Sequence, residues 1–254
     1  FSAVDDVRRA GAAHVNLIVP TYPYARQEKK KSREPITASL IANILEHLSL
    51  NSIITLDVHA DAITGFFRQS DFINLFAADL IIDYLNENYS EFLKDLVVVS
   101  PDTGGVPRAR FYARQINAGL AMMNKERDYS KVNIVEKVTL IGDVNNKNVL
   151  IVDDIVDTGG TMISVIDELK KQGAKDIMLA CTFPLMNGKC IEYFQKMYEN
   201  NQIKTVIGTD SVYHNDKFFE LYPWYKEVKI SPLFAKIINT INLRMPISDV
   251  VSKR

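Results

Sequence analysis

The chain has 254 residues, of which 47% are hydrophobic and 24% charged, with a formal net charge of −1. That length and apolar content suffice for one large core or two modest ones, and slightly favour two. The near-neutral charge gives no global basic field for nucleic acid, the apolar runs fall far short of the roughly 20 residues of a membrane helix, and two cysteines, Cys181 and Cys190, make neither a disulfide framework nor a zinc site.

Residues 1–9 interleave small, acidic and basic side chains with helical spacing (Val4, Val7, Arg8), so no secretory leader is expected, and the cysteine usage fits a reducing cytoplasm. The chain opens on Phe1 directly into that pattern, from which the beginning of the natural protein is expected to be missing. In chain order, short β-branched runs predict strands over 15–19, 53–57, 96–100, 138–141, 149–153, 177–182 and 205–208. Between them the apolar spacing predicts helices over 36–48, 75–84, 108–116, 161–172 with Gly173 as a stop, and 232–241 with Pro232 in the first turn. This alternation is the mark of an α/β fold with a mainly parallel sheet flanked by helices. Ligands of such sheets bind at the carboxyl ends of the strands, which directs attention to the loops after Val19, Asp57, Val99 and Val152. One strand series ends and another begins near 74–78, the expected domain change.

Residues 149–162 read VLIVDDIVDTGGTM, the most specific segment of the chain. Gly159 and Gly160 let the backbone approach an anion, and Thr158 and Thr161 add hydroxyls at a helix start. Asp153 and Asp154, at the strand end, are placed to accept hydrogen bonds from sugar hydroxyls. A bare DTGG would fit an acidic turn with a helix cap equally well. The whole run resembles the loop by which phosphoribosyltransferases and ribose-phosphate diphosphokinases hold a ribose phosphate. That resemblance implies that Asp157, Thr158, Gly159, Gly160 and Thr161 hold the 5-phosphate and that Asp153 and Asp154 hold the ribose.

Three further segments resemble the ribose-phosphate diphosphokinase family in its own order: 24–35 (YARQEKKKSREP), 57–67 (DVHADAITGFF) and 100–105 (SPDTGG). The resemblance assigns Arg26 and Gln27 to ATP and makes His59 a ligand to the accompanying Mg2+. Taken alone, Lys29, Lys30 and Lys31 read as a solvated basic loop, and His59 as a structural histidine. Asp102 is the better electrostatic metal candidate, with Gly104 and Gly105 leaving amides for diphosphate, although Asp102 could equally cap the helix that follows. Residues 124–128 (NKERD) look like any exposed turn; in the family a mobile loop here carries two cations that close over the transferring group, and Lys125 and Arg127 match them.

The family reading implies two phosphoribosyltransferase-type domains, 1–75 and 76–239, with 240–254 as a candidate to complete the first. It further implies transfer of the diphosphate of Mg-ATP to ribose 5-phosphate, giving phosphoribosyl diphosphate and AMP, in a cytoplasmic homo-oligomer, commonly a hexamer built from dimers, with no nucleic-acid or membrane partner. Because the chain carries no Walker A loop, kinase glycine-rich loop or GxGxxG fingerprint, ATP use rests on the resemblance. Two rivals stand beside it: a salvage phosphoribosyltransferase, and a non-catalytic regulatory homologue. Three departures keep the second in view. The family continues after Gly65, Phe66 and Phe67 with an aspartate and then a proline, where this chain has Arg68, Gln69 and Ser70, so a second metal contact is expected to be lost. Phe183 stands where relatives often have histidine. The leading segment, which in relatives completes the adenine pocket across a subunit interface, is absent before Phe1, so a chain truly starting there should bind ATP poorly.

Overall fold

The computed structural model describes residues 1–30, 32–127 and 136–249, with the side chains of 125–127, 136–137 and 249 outside the description. The chain divides into two compact units, Phe1–Phe76 and Ala77–Arg254.

The first unit runs α1 (Ser2–Arg9), β1 (Asn16–Ile18), α2 (Thr37–Glu46), β2 (Ser52–Leu56), a 3-10 turn (Asp61–Phe66) and β3 (Asp71–Leu75). Its sheet has the order β1-β2-β3, with both pairings parallel. The central strand SIITL is buried along its whole length, which explains a run of apolar and small residues instead of an alternating one. Tyr22 organises the core. Its ring meets Phe67 and Phe72 edge-on, those two stack at 4.7 Å, and its hydroxyl donates to the Ala38 carbonyl at 2.9 Å. Burial accordingly pushes the phenol's pKa well up from its ordinary value.

The second unit holds α3 (Ala78–Asn88), β4 (Leu96–Ser100), α4 (Val106–Gln115), β5 (Gly119–Arg127), β6 (Glu136–Ile141), β7 (Asn148–Val156) and α5 (Gly160–Lys171). It continues through β8 (Ile177–Pro184), α6 (Cys190–Glu199), β9 (Thr205–Thr209), α7 (Asp216–Leu221), β10 (Tyr225–Val228) and α8 (Ser231–Asn242) to a final 3-10 turn (Ile247–Asp249). The seven strands are ordered β10-β9-β8-β7-β4-β5-β6, parallel throughout except for the antiparallel β5–β6 pair. The α/β class, with mainly parallel sheets flanked by helices, is therefore as the alternation predicts.

Differences from the sequence reading have local causes. Leu75 ends β3 rather than opening a helix, because its carbonyl accepts the Asp57 N–H (2.8 Å) beside the β2–β3 ladder, and α3 begins only at Ala78. Strand β7 runs three residues past its expected end at Asp153, still paired with β8 as far as Val156 and Pro184. Strands β3, β5 and β10 are further pairings; in β5 the buried Ala121 and Met123 sit two apart, the period of a half-exposed strand.

Between β8 and β10, Gly208 of β9 leaves no room for a side chain: an added Cβ would lie 2.5 Å from the Tyr225 hydroxyl and 2.8 Å from the Pro184 ring. Both neighbours are in the core, so Gly208→Ala is expected to destabilise the second unit by about 1–3 kcal/mol, read as a lowered denaturation midpoint. An unchanged midpoint would show that this packing is looser than the distances imply.

Candidate active site

Strands β4 and β7 are parallel neighbours, with Val98 opposite Leu150, so the loops that leave their carboxyl ends lie side by side. After β4, the buried Ser100 turns its hydroxyl onto the Asp102 carbonyl (2.6 Å), and Asp102 Oδ1 accepts the Gly105 N–H (2.9 Å) where α4 starts. Asp102 thus closes the turn before α4, whose N-cap is Gly105 with no side-chain cap hydrogen bond, and the residue stays exposed. Gly105 is required by close approach, because a Cβ there would come within 2.7 Å of Ser100 Oγ.

After β7, the chain bends through Asp157, Thr158 and Gly159 and enters α5 at Gly160. Gly159 has φ +79, and a Cβ on it would sit 2.9 Å from Cys190 Sγ, so both conformation and space demand glycine. Nothing lies within 4 Å of a Cβ built on Gly160, and Thr158, Gly160 and Thr161 are exposed. Helix α5 has no acidic residue in its first turn and Lys170 and Lys171 in its last, the polarity that favours an anion at the amino end. The loop is pinned from the side by Asn187, whose Nδ2 donates to Asp157 Oδ1 at 2.8 Å. Burial, followed by the nearby Asp157 charge, pushes the Cys190 thiol up to about 12, so it serves as packing under the loop and not as a nucleophile.

Asp153 and Asp154 lie within β7, just before its end at Val156. Arg108, one turn into α4, places Nη1 3.7 Å from Oδ1 of each. The three side chains are 15% (Arg108), 19% (Asp153) and 5% (Asp154) exposed, so the charges interact in a largely desolvated setting. The Asp154 N–H also donates to Asp153 Oδ1 (2.8 Å). Burial first, and Asp154 next, push the Asp153 carboxyl up to about 8, with Arg108 and the Asp154 amide pulling the other way.

In the first unit, Arg26 and Gln27 lie on the loop after β1, which is tied back by the Gln27 N–H to the Tyr24 carbonyl (2.9 Å) and by the Ala38 N–H to the Gln27 carbonyl (3.3 Å). His59 is exposed after β2, where the Val58 N–H donates to Asn74 Oδ1 (3.0 Å). Glu28, on the first of these loops, feels the charge of His59 on the second. Burial raises its carboxyl, but its own backbone N–H, Lys29 and His59 outweigh that and leave it below the ordinary range. At the Arg68–Ser70 departure, Glu46 accepts the backbone N–H groups of Arg68, Gln69 and Ser70 at 3.0, 3.0 and 2.9 Å, and a proline at 70 could not supply the last of these. Lys31 lies outside the described residues. The backbones of Lys125 and Arg127 belong to β5, opposite Val138 and Glu136, and their side chains lie outside the description.

Arg108 and Asn187 escaped the sequence reading. Arg108 reads as an ordinary helical arginine until α4 is seen to pack beside β7, and Asn187 is thirty positions from its partner with no motif around it.

Residues 74–222 match the family model of the phosphoribosyl transferase domain, and residues 1–48 match that of the N-terminal domain of ribose phosphate pyrophosphokinase. Ribose-phosphate pyrophosphokinase 2 of Enterococcus faecalis is 38% identical over 250 residues, covering 97% of this chain and 74% of that protein. The chain belongs to the ribose-phosphate pyrophosphokinase family. Another member, from Bacillus caldolyticus, is 40% identical over 210 residues, covering 82% of this chain and 64% of its own length. The crystal structure of phosphoribosylpyrophosphate synthetase from Mycobacterium smegmatis superimposes with a TM-score of 0.85 at 31% identity, over 96% of this chain and 76% of that one. Among the described residues, no helix is long and apolar enough to cross a membrane.

The raised Asp153 carboxyl has a measurable consequence for this pyrophosphokinase-family chain. A carboxyl with a folded-state pKa of about 8 and an unfolded one near 3.8 contributes stability below pH 4 that is lost as pH rises toward 8, because the fold must then hold a second charge beside Asp154. Asp153→Asn is therefore expected to melt higher than the parent at pH 8, with the gap closing as pH falls to 4. A gap independent of pH would assign the difference to packing.

Proposed function

We propose that this chain transfers the diphosphate of Mg-ATP to the anomeric hydroxyl of ribose 5-phosphate, releasing 5-phosphoribosyl 1-diphosphate and AMP for nucleotide synthesis. The observation that carries the reading is the meeting, at adjacent strand ends, of an acid pair suited to a ribose diol and an open glycine turn suited to a phosphate, in a chain of this family. Thr158, Gly160 and Thr161 would receive the 5-phosphate at the amino end of α5, with Asp157 and Gly159 shaping the turn. Asp153 and Asp154 would accept the ribose hydroxyls, and the amide of Gly104 would face the diphosphate, the Gly105 N–H being already engaged by Asp102 Oδ1.

Among the described residues no group of three or more His, Cys, Asp or Glu side chains could hold a metal ion. That suits magnesium brought by ATP, which takes one or two carboxylates and completes its shell with phosphate oxygens and water. Asp102, exposed at the end of β4, is the proposed carboxylate ligand in the second unit; His59, with Arg26 and Gln27, belongs to the proposed ATP-binding segments of the first, His59 as a metal ligand. Magnesium so held would neutralise phosphate charge. The anomeric oxygen attacks the β-phosphorus, the bond from that phosphorus to the α–β bridging oxygen breaks, AMP leaves with the bridging oxygen, and the proton of the anomeric hydroxyl passes to solvent. No protein nucleophile is required. Lys125 and Arg127 are proposed to stabilise the migrating diphosphate, the large electrostatic term in chemistry of this kind. Assembly as a homo-oligomer built from dimers and a cytoplasmic location belong to the same proposal.

The decisive assay is AMP release from ATP and ribose 5-phosphate with magnesium; turnover only when phosphoribosyl diphosphate and a nucleobase replace these substrates would favour a salvage phosphoribosyltransferase. Lys125→Ala or Arg127→Ala is expected to lower kcat about a hundredfold while the KM for ribose 5-phosphate changes little. Parallel losses in both parameters would remove these side chains from the transfer step.

A further inference from the structure

Arg108 forms ion pairs with both Asp153 and Asp154. It stands three residues beyond Gly105, the residue that opens α4 and closes the Asp102 turn. One guanidinium nitrogen is equidistant, at 3.7 Å, from an oxygen of each acid. That separation is too long for a pair of direct fork hydrogen bonds and short enough for a strong charge interaction in a desolvated setting. Arg108 therefore spans two neighbouring strand ends: its own helix begins at the Asp102 turn, and its charge lies on the acid pair of β7.

We infer that Arg108 is the positioning residue of the ribose site, aligning the two acids, favouring their charged forms and fixing the ribose loop in register with the Asp102 loop. The inference rests on the reading of Asp153 and Asp154 as ribose acceptors. An ionised carboxylate can accept from both hydroxyls of a diol, whereas a protonated one has less acceptor capacity. Against ionisation of Asp153 stand its burial and Asp154 on the same strand, while the Cys181 thiol opposite it on β8 is itself held neutral, by burial first and Asp153 next. Arg108, from α4, acts against these with a full charge, and the Asp154 amide adds a hydrogen bond. The same pairing explains why an arginine sits with only 15% of its side chain exposed without needing contact with a ligand: its partners are the acids. Lysine at this position would keep the charge but lose the planar group that reaches both oxygens from one stem.

The test uses the full chain, first confirming that the parent releases AMP and binds ribose 5-phosphate by calorimetry; failure there sinks the functional reading, and with it the inference that rests on it. With an active parent, Arg108→Gln is expected to raise the KM and Kd for ribose 5-phosphate about tenfold at pH 7, with the KM for ATP little changed. It should also shift the acid limb of kcat/KM for ribose 5-phosphate upward by about one pH unit or more, the size expected on losing a close opposite charge. Arg108→Lys should recover most of the pH shift and only part of the affinity. A merely structural arginine would lower activity without moving the limb, so a folded Arg108→Gln with an unmoved limb overturns the proposal. If the Gln variant does not fold, Arg108→Lys decides: ribose 5-phosphate affinity equal to the parent's overturns the inference, and a selective loss supports it.

Discussion

Two carboxylates in adjacent positions at a buried strand end are an unfavourable arrangement, and the second unit is built around tolerating it. Repulsion and lost hydration both act against Asp153 and Asp154, and neither can be relieved by turning away, because β7 is still paired with β8 beyond them. What opposes the strain is one guanidinium delivered by the helix that follows the neighbouring strand. This explains the central place of β4 and β7 in the sheet: adjacent parallel strands bring the start of one loop's helix to the end of the other's strand.

The surrounding parts serve the same end. Gly105 lets α4 start close under Ser100, which fixes where Arg108 emerges one turn later. Gly159 lets the ribose loop turn above Cys190, and Asn187 holds that turn by its acid. These restraints are made within the protein itself, so the turn at 157–160 is shaped by its own contacts.

Much of this was legible in the letters. The parallel class follows from short β-branched runs between helical stretches, whereas the close approaches that require Gly105 and Gly159 are made to Ser100 and Cys190, which the letters do not show. What the letters hide has a physical reason in each case. The three unmarked strands are short or half exposed, so their apolar pattern is brief, and Leu75 looks helical until its carbonyl is seen to serve a neighbouring strand. Arg108 and Asn187 act across distances in sequence that no local spacing encodes. The reading of Asp102 as cap or ligand stayed open in the sequence; its side chain closes the turn onto Gly105 without capping α4, and the residue is exposed after the strand.

The turn at 68–70 in the first unit is held by main-chain amides on a single glutamate. A grip of that kind is blind to side-chain identity at Arg68 and Gln69. Divergence at these positions therefore leaves the contour of the loop intact while rewriting what it displays, so drift can replace an acidic exterior with a basic one at small energetic penalty. At Arg68 and Gln69 only the exterior differs, whereas Ser70 also supplies the scaffold with a main-chain donor that a proline could not.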